Sequence, residues 1–265
     1  MKKNTLIMVS GATLLALTAQ TSVALAEEIT QNLNSNGITE FIPGNDPVDP
    51  VDPVDPDPDK PVVPWDPTTP DNKPEPGTEG PLSLDFASSF DFGVNEISNK
   101  DMVYMANPQY FWNEEGTGKD EEMVRPNYVQ ITDNRGTNEG WTLNLKQETQ
   151  FKNDSATHKE LNGSVIDFVL GTPNSKSENK ETESPVSYGY TITPGESVTV
   201  MSATEGAGAG TWTNAWGDVE EVSIKDEKVL KNTGVKLKVP GKTVKDAVKY
   251  TTQFTWTLTN VPGNK

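Results

Sequence analysis

Gly140-Trp141-Thr142-Leu143-Asn144-Leu145-Lys146-Gln147 sets the β character of this chain. Large apolar side chains at 141, 143 and 145 alternate with polar ones at 142, 144 and 146. Successive side chains of a strand point to opposite faces, so Trp141, Leu143 and Leu145 share one face and Thr142, Asn144 and Lys146 the other. Nearer the C-terminus, Tyr250, Thr252, Phe254, Trp256 and Leu258 alternate in the same way, and Trp256-Thr257-Leu258 repeats the tripeptide. Both tryptophans read as core residues on inward faces. A buried indole then needs an acceptor for its N–H.

Working outward, further strands are expected at Leu82–Phe86, Tyr128–Thr132, Val165–Leu170, Ser187–Thr193, Ser197–Ser202, Gly234–Val239 and Lys249–Asn260. Turn residues separate them at Asp133 to Gly136, Gly171-Thr172-Pro173, Thr193-Pro194-Gly195 and Pro240-Gly241. Many short alternating strands with Gly and Pro punctuation predict an all-β fold, an antiparallel β-sandwich or barrel-like single domain over residues 82–265. No amphipathic helix longer than about three turns is evident. Asn174 to Ser184, rich in Lys and Glu, reads as an exposed loop.

The residues around the two tripeptides carry a resemblance. Pro76-Gly77-Thr78-Glu79-Gly80-Pro81-Leu82-Ser83-Leu84-Asp85-Phe86, Thr132-Asp133-Asn134-Arg135-Gly136-Thr137 and Thr259-Asn260-Val261-Pro262-Gly263-Asn264 flank Trp141-Thr142-Leu143 and Trp256-Thr257-Leu258. In combination, over roughly Pro76 to Lys265, the chain resembles the WxL domain surface cell wall-binding proteins of Gram-positive bacteria. The resemblance implies non-covalent attachment to the cell wall with peptidoglycan as ligand. It also implies association with a membrane-anchored WxL-interacting protein and other surface proteins.

Residues 1–26 read as a signal peptide. Lys2 and Lys3 form the basic end, Leu6 to Leu17 a short punctuated apolar core, and Ala24-Leu25-Ala26 a small-x-small cleavage site. The apolar run is too short for a membrane span, and no other segment is long enough, so no membrane span is expected in the mature chain. The net charge is −17. That argues against nucleic acid, which calls for clustered Lys and Arg. There is no cysteine, which excludes disulfides and an acylated cysteine anchor. No sortase-type signal follows Val261-Pro262-Gly263-Asn264-Lys265. The expectation is a secreted protein on the cell wall, at the cell surface, held there by a binding surface.

Residues 27–42 are polar apart from Ile38-Thr39-Glu40-Phe41-Ile42, which reads either as disordered or as one strand pairing back onto the domain. Residues 43–81 hold 13 of the 20 prolines, with ten acids against two lysines. Pro47-Val48-Asp49, Pro50-Val51-Asp52 and Pro53-Val54-Asp55 match the three-residue turn of polyproline II, so this segment is expected to be a disordered, extended, solvated spacer.

Candidate ligand contacts are the aromatics in loop-like sequence, Tyr110, Phe111 and Trp112 after Pro108, and Trp212 and Trp216 after the Gly206–Gly210 run. Exposed rings with a few hydrogen bonds suit glycans and wall peptides, and rings closing the ends of the core are the alternative, preferred for Trp212. Arg125 and Arg135, the only arginines, fit a peptide carboxylate bidentately or make local salt bridges. The Gly206–Gly210 run is followed by Thr211-Trp212-Thr213 rather than a helix, which removes a nucleotide-loop reading. His158 is the only histidine, so no catalytic triad or multi-histidine metal site is expected. Paired carboxylates among Glu114, Glu115, Asp120, Glu121 and Glu122 leave a wall hydrolase as one alternative, though no spacing singles out a pair. An adhesin for a host matrix protein, binding by strand addition, is another. The leading expectation is a wall-binding protein without enzymatic activity, cofactor or metal.

Overall fold

The alternation of apolar and polar residues becomes sixteen strands and no helix in a computed structural model that describes residues 30–263. Residues 1–26, expected to be a signal peptide, lie outside the described residues. The strands are β1 (Pro64–Trp65), β2 (Leu82–Ala87), β3 (Met102–Ala106), β4 (Gln109–Trp112), β5 (Lys119–Arg125), β6 (Tyr128–Asp133), β7 (Trp141–Gln147) and β8 (Val165–Phe168). They continue as β9 (Gly171–Asn174), β10 (Val186–Ser187), β11 (Tyr190–Ile192), β12 (Ser197–Ala203), β13 (Gly210–Trp216), β14 (Val219–Ile224), β15 (Glu227–Val239) and β16 (Phe254–Thr259). The fold is all-β, with antiparallel sheets in a barrel-like single domain. The sheet orders are β1-β4-β5, β10-β12-β7-β16, β11-β8-β15-β14 with β3 also on β15, and β2-β6-β13-β9.

Three of these sheets close on one core. The motif sheet supplies Trp141, Leu143, Leu145 and Met201. The β8/β15 sheet supplies Ile166, Phe168, Val235 and Leu237. The β6/β13 sheet supplies Val129, Ile131, Trp212 and Trp216. Their junction is aromatic: Phe90 lies 5.1 Å from Phe168, 5.4 Å from Phe254 and 6.1 Å from Trp216, each edge-on.

All six residues of β6 are buried, whereas a sheet with one solvated face would alternate. Val129 and Ile131 face the main core, while Tyr128 joins Phe86 and Phe111 in a second cluster on the opposite side. A β-bulge at Asp85, between Leu84 and Phe86, turns both Asp85 and Phe86 to that second side.

The spacer expected over residues 43–81 is corrected here. Val51 is fully buried, Pro53 and Pro56 are buried, Val62 N–H donates to Pro50 O at 2.8 Å, and Pro64–Trp65 forms the edge strand β1 beside β4. The tract therefore covers the second face of the β6 sheet. Proline stiffness favours an extended chain, and an extended chain has free main-chain acceptors that a polar groove can take up. Ile38 to Ile42 form no strand, and Ile38, Phe41 and Ile42 are exposed.

Other differences have local causes. Gly171-Thr172-Pro173 is part of the edge strand β9 rather than a turn; an edge strand tolerates a proline that cannot donate. Ser187–Thr193 divides between two sheets as β10 and β11. Lys249–Asn260 shortens to Phe254–Thr259, and Gly234–Val239 lengthens to Glu227–Val239. The hairpin between β14 and β15 turns on Lys225 and Asp226, both at positive φ (50° and 67°), without the Asn-Gly that would mark such a turn in sequence.

Candidate functional site: the two-faced motif sheet

The two tripeptides lie side by side. β7 and β16 pair antiparallel with Leu143 opposite Leu258 and Trp256 opposite Leu145. Cross-strand contact joins the two motifs into one apolar ladder on the inner face. Trp141 is fully buried in a strand flanked on both sides by β12 and β16. Its indole N–H donates to Gly208 O at 3.0 Å, the acceptor that a buried indole calls for. The Gly206–Gly210 run is thus a cradle: Gly208 has φ +77°, and a Cβ there would lie 2.7 Å from Trp141 Nε1. Trp256, on the edge strand, is half-buried against the core with its ring 6.0 Å from Trp216.

Thr142 and Thr257, the middle residues of the motifs, face outward. With Asn144, Lys146, Thr199, Thr255 and Thr259 they form a polar sheet face. Asn144 stands between Thr199 on one neighbour and Thr257 on the other, and Thr199 Oγ1 donates to Asn144 Oδ1 at 2.9 Å. Thr142 Oγ1 donates to Val261 O at 2.8 Å, fastening the chain that leaves β16. The four strands of this sheet contain one charged residue, Lys146, and no Asp or Glu, although the chain has 39 of them. Glu148, just beyond β7, brings a carboxylate to the edge of this face, where Lys146 Nζ donates to it at 2.7 Å and Thr255 also hydrogen-bonds it. Sequence reading did not single this face out as a binding surface. Its signal was the run of polar uncharged residues between the apolar ones.

Both arginines are engaged within the chain. Arg135 grips Asp133 through Nε at 2.9 Å and Nη2 at 2.6 Å, and Nη2 also donates to Gly140 O at 2.7 Å. The hydrogen bonds with Asp133 raise the pKa of the guanidinium. Arg135 thereby fixes the turn that delivers Trp141. Arg125 grips Asp52 of the tract with Nε at 2.7 Å and Nη2 at 2.6 Å.

The aromatic candidates separate. Trp212 and Trp216 lie in β13 rather than a loop, and both are buried; Phe111 is buried too. None of these three rings is open to a ligand from solution. Trp112 and Tyr110 are half-buried on β4. Trp112 lies 4.5 Å from Trp65, and Lys119 Nζ sits 4.0 Å over the Tyr110 ring. The sequence reading did not single out Trp65, whose signal was being the lone tryptophan in a proline-rich tract. His158 Nδ1 lies 2.7 Å from Asp246 Oδ1 in an exposed local tie. Among the described residues no group of three or more His, Cys, Asp or Glu is placed to hold a metal, and no helix is long and apolar enough to cross a membrane.

No curated protein and no solved structure matches this chain. A family model does. It spans residues 28–262, taking in the Pro/Asp tract as well as both motif strands. With paired Trp-x-Leu strands at its centre and that match over most of its length, the chain belongs to the WxL domain surface cell wall-binding family.

Proposed function

We propose that this protein is exported and held non-covalently on the cell wall by peptidoglycan, which docks on the outer face of the motif sheet. The acid-poor face carries this reading: the Glu148 carboxylate at its edge is paired with Lys146. A chain of net charge −17 is repelled by the anionic polymers of a wall. It approaches best through a surface poor in carboxylates, where the acid present is paired with a lysine. The β7, β12 and β16 strands offer that surface, with hydroxyls and an amide repeating every second residue, about 7 Å apart along a strand. Sugars and wall peptides are rich in matching donors and acceptors. In this reading Trp141 and Leu143 build the sheet, and Thr142, Asn144, Thr199 and Thr257 meet the ligand. The protein acts by binding, not by hydrolysis.

The test is co-sedimentation with peptidoglycan stripped of proteins and anionic polymers. Thr257→Asp combined with Thr199→Asp should lower retention at least about tenfold while thermal unfolding stays near wild type. Trp112→Ala, on the separate aromatic patch, should leave retention unchanged. The reverse pattern would move the ligand to Trp65, Tyr110 and Trp112. Wild type that stays in the supernatant would transfer attachment to a tethering protein. Soluble fragments released from purified wall would refute the non-enzymatic part.

A further inference from the structure

The groove over the second face of the β6 sheet reads a repeat. Fully buried Gln130 presents its amide edge to the tract: Oε1 accepts from Val51 N–H at 2.7 Å, and Nε2 donates to Asp49 O at 3.0 Å. Asn174 Nδ2 donates to Pro53 O at 3.1 Å and to Val54 O at 3.0 Å. Arg125 holds Asp52 bidentately, and Lys176 Nζ lies 2.8 Å from Asp55 Oδ1. Main-chain groups are read by amides, Val51, Pro53 and Pro56 are buried, and Asp52 and Asp55, three residues apart, each meet a cation.

The chain carries more of this ligand than the groove uses. Val51 is fully buried, whereas Val54 is 63% exposed. Moving the tract by one triplet would bring Val48, Asp49 and Pro50 to the seats of Val51, Asp52 and Pro53, and Asp52 to that of Asp55. A second register thus offers the same residue types to the same seats, and every copy of the chain carries it.

The arm is also separable. Residues 44–56 contain no strand, and a single bridge joins Val51 to Pro61. A turn follows, with Lys60 N–H donating to Asp57 O at 2.9 Å. Beyond it the chain is pinned, by Trp112 N–H to Val63 O at 2.8 Å and by the β1/β4 register. Pivoting at Asp57–Lys60 would free the arm without opening a sheet.

We propose that this groove is a Pro-Val-Asp recognition site whose partner in trans is the tract of a second copy, so that chains at high local density exchange arms. Every contact is remade between copies, as in domain swapping. In dilute solution the chain's own tract wins, because a short tether gives an effective concentration of about millimolar.

Two full-length variants remove that advantage. One carries Asp49→Arg, Asp52→Arg and Asp55→Arg with its groove intact. The other carries Arg125→Asp and Lys176→Asp with its tract intact. Each repels its own arm, and each pairs with the other. Light scattering after size exclusion should show monomers for either alone and a doubled mass for the mixture, reduced by salt. A mixture that stays monomeric with both variants folded would overturn the proposal, as would either variant dimerising alone. Wild type gives an independent readout if a variant fails to fold. A peptide of residues 47–57 at about 1–10 mM should displace the arm and speed amide hydrogen exchange at Val51, whose N–H is held by Gln130, where a scrambled peptide does not. Equal exchange at Val51 with both peptides would overturn the proposal as well.

Discussion

The motif sheet and the Pro-Val-Asp tract are both built from short regular sequence, and they are held in opposite ways. The motif strands have a two-residue period, and burial of Trp141, Leu143 and Leu145 fixes them. The tract has a three-residue period, and it is fixed through side-chain amides of Gln130 and Asn174 and the ion pair to Arg125. Apolar burial scales with area and does not depend on ionisation or screening, whereas an ion pair weakens as its carboxylate is protonated and as salt screens it. One region should resist acid and fail on truncation of a ring. The other should tolerate truncation and respond to solution conditions.

The largest effect belongs to Trp141. Trp141→Ala removes a fully buried ring and leaves the Gly208 carbonyl without its donor, so urea unfolding should show a loss of about 4–5 kcal/mol. Gly208→Ala comes next. It leaves the ring in place but forces a Cβ against Trp141 and Ala203 at positive φ, for a loss of about 2–3 kcal/mol. Trp256→Ala sits lower, at about 1–2 kcal/mol, because its half-buried ring on an edge strand lets water into the space it vacates. Equal losses at Trp141 and Trp256 would break the distinction between a flanked strand and an edge strand. They would mean that the edge of β16 is covered in solution.

The same contrast explains what was legible in the sequence. Trp141-Thr142-Leu143 announces its strand because the information is local: alternation within a few residues fixes which face is inward. The direction of each motif, tryptophan inward and threonine outward, followed from that alone. The aromatics Trp212 and Trp216 were harder. Neighbouring glycines suggested a loop, yet positive φ at Gly206, Gly208 and Gly210 shapes the entry to β13 instead. Docking of the tract was not legible. Val51 meets Gln130 across 79 residues, and Asp52 meets Arg125 across 73. Neither partner belongs to a periodic pattern, and a polar match between distant residues leaves no trace in local composition. Proline and aspartate density spoke only for extension, which is correct for the tract's backbone and silent about what lies beneath it.

The smallest expected effect sharpens the comparison most, because the tract should show a pH response that the motif sheet lacks. At Asp52, burial alone would raise the pKa, but hydrogen bonds from Arg125 and from the Val54 N–H, with the charge of Arg125, outweigh it and hold the carboxyl below its ordinary value. A depressed folded-state pKa adds stability that is fully present above the unfolded value of about 3.9 and is lost as pH falls through the folded one. Asp85, beneath the same groove, runs the other way. Burial raises its pKa against hydrogen bonds from Ser83, Thr132 and Gln130, so its ionised form costs stability, and that cost is relieved as pH falls toward the ordinary carboxylate range. Docking of the tract should therefore strengthen slightly on mild acidification and weaken below about pH 4. The falling limb is worth no more than about 1 kcal/mol, since the Arg125 side chain is 27% exposed and solvent screens the pair. Amide hydrogen exchange at Val51, whose N–H is bound by Gln130, reads the docking directly, and Leu143 in the motif sheet serves as reference. Asp52→Asn should abolish the falling limb and Asp85→Asn the rising one. A Val51 protection profile parallel to that of Leu143 at every pH would show that the tract is held by burial of Val51, Pro53 and Pro56 alone, and the two regions would then share one physical basis.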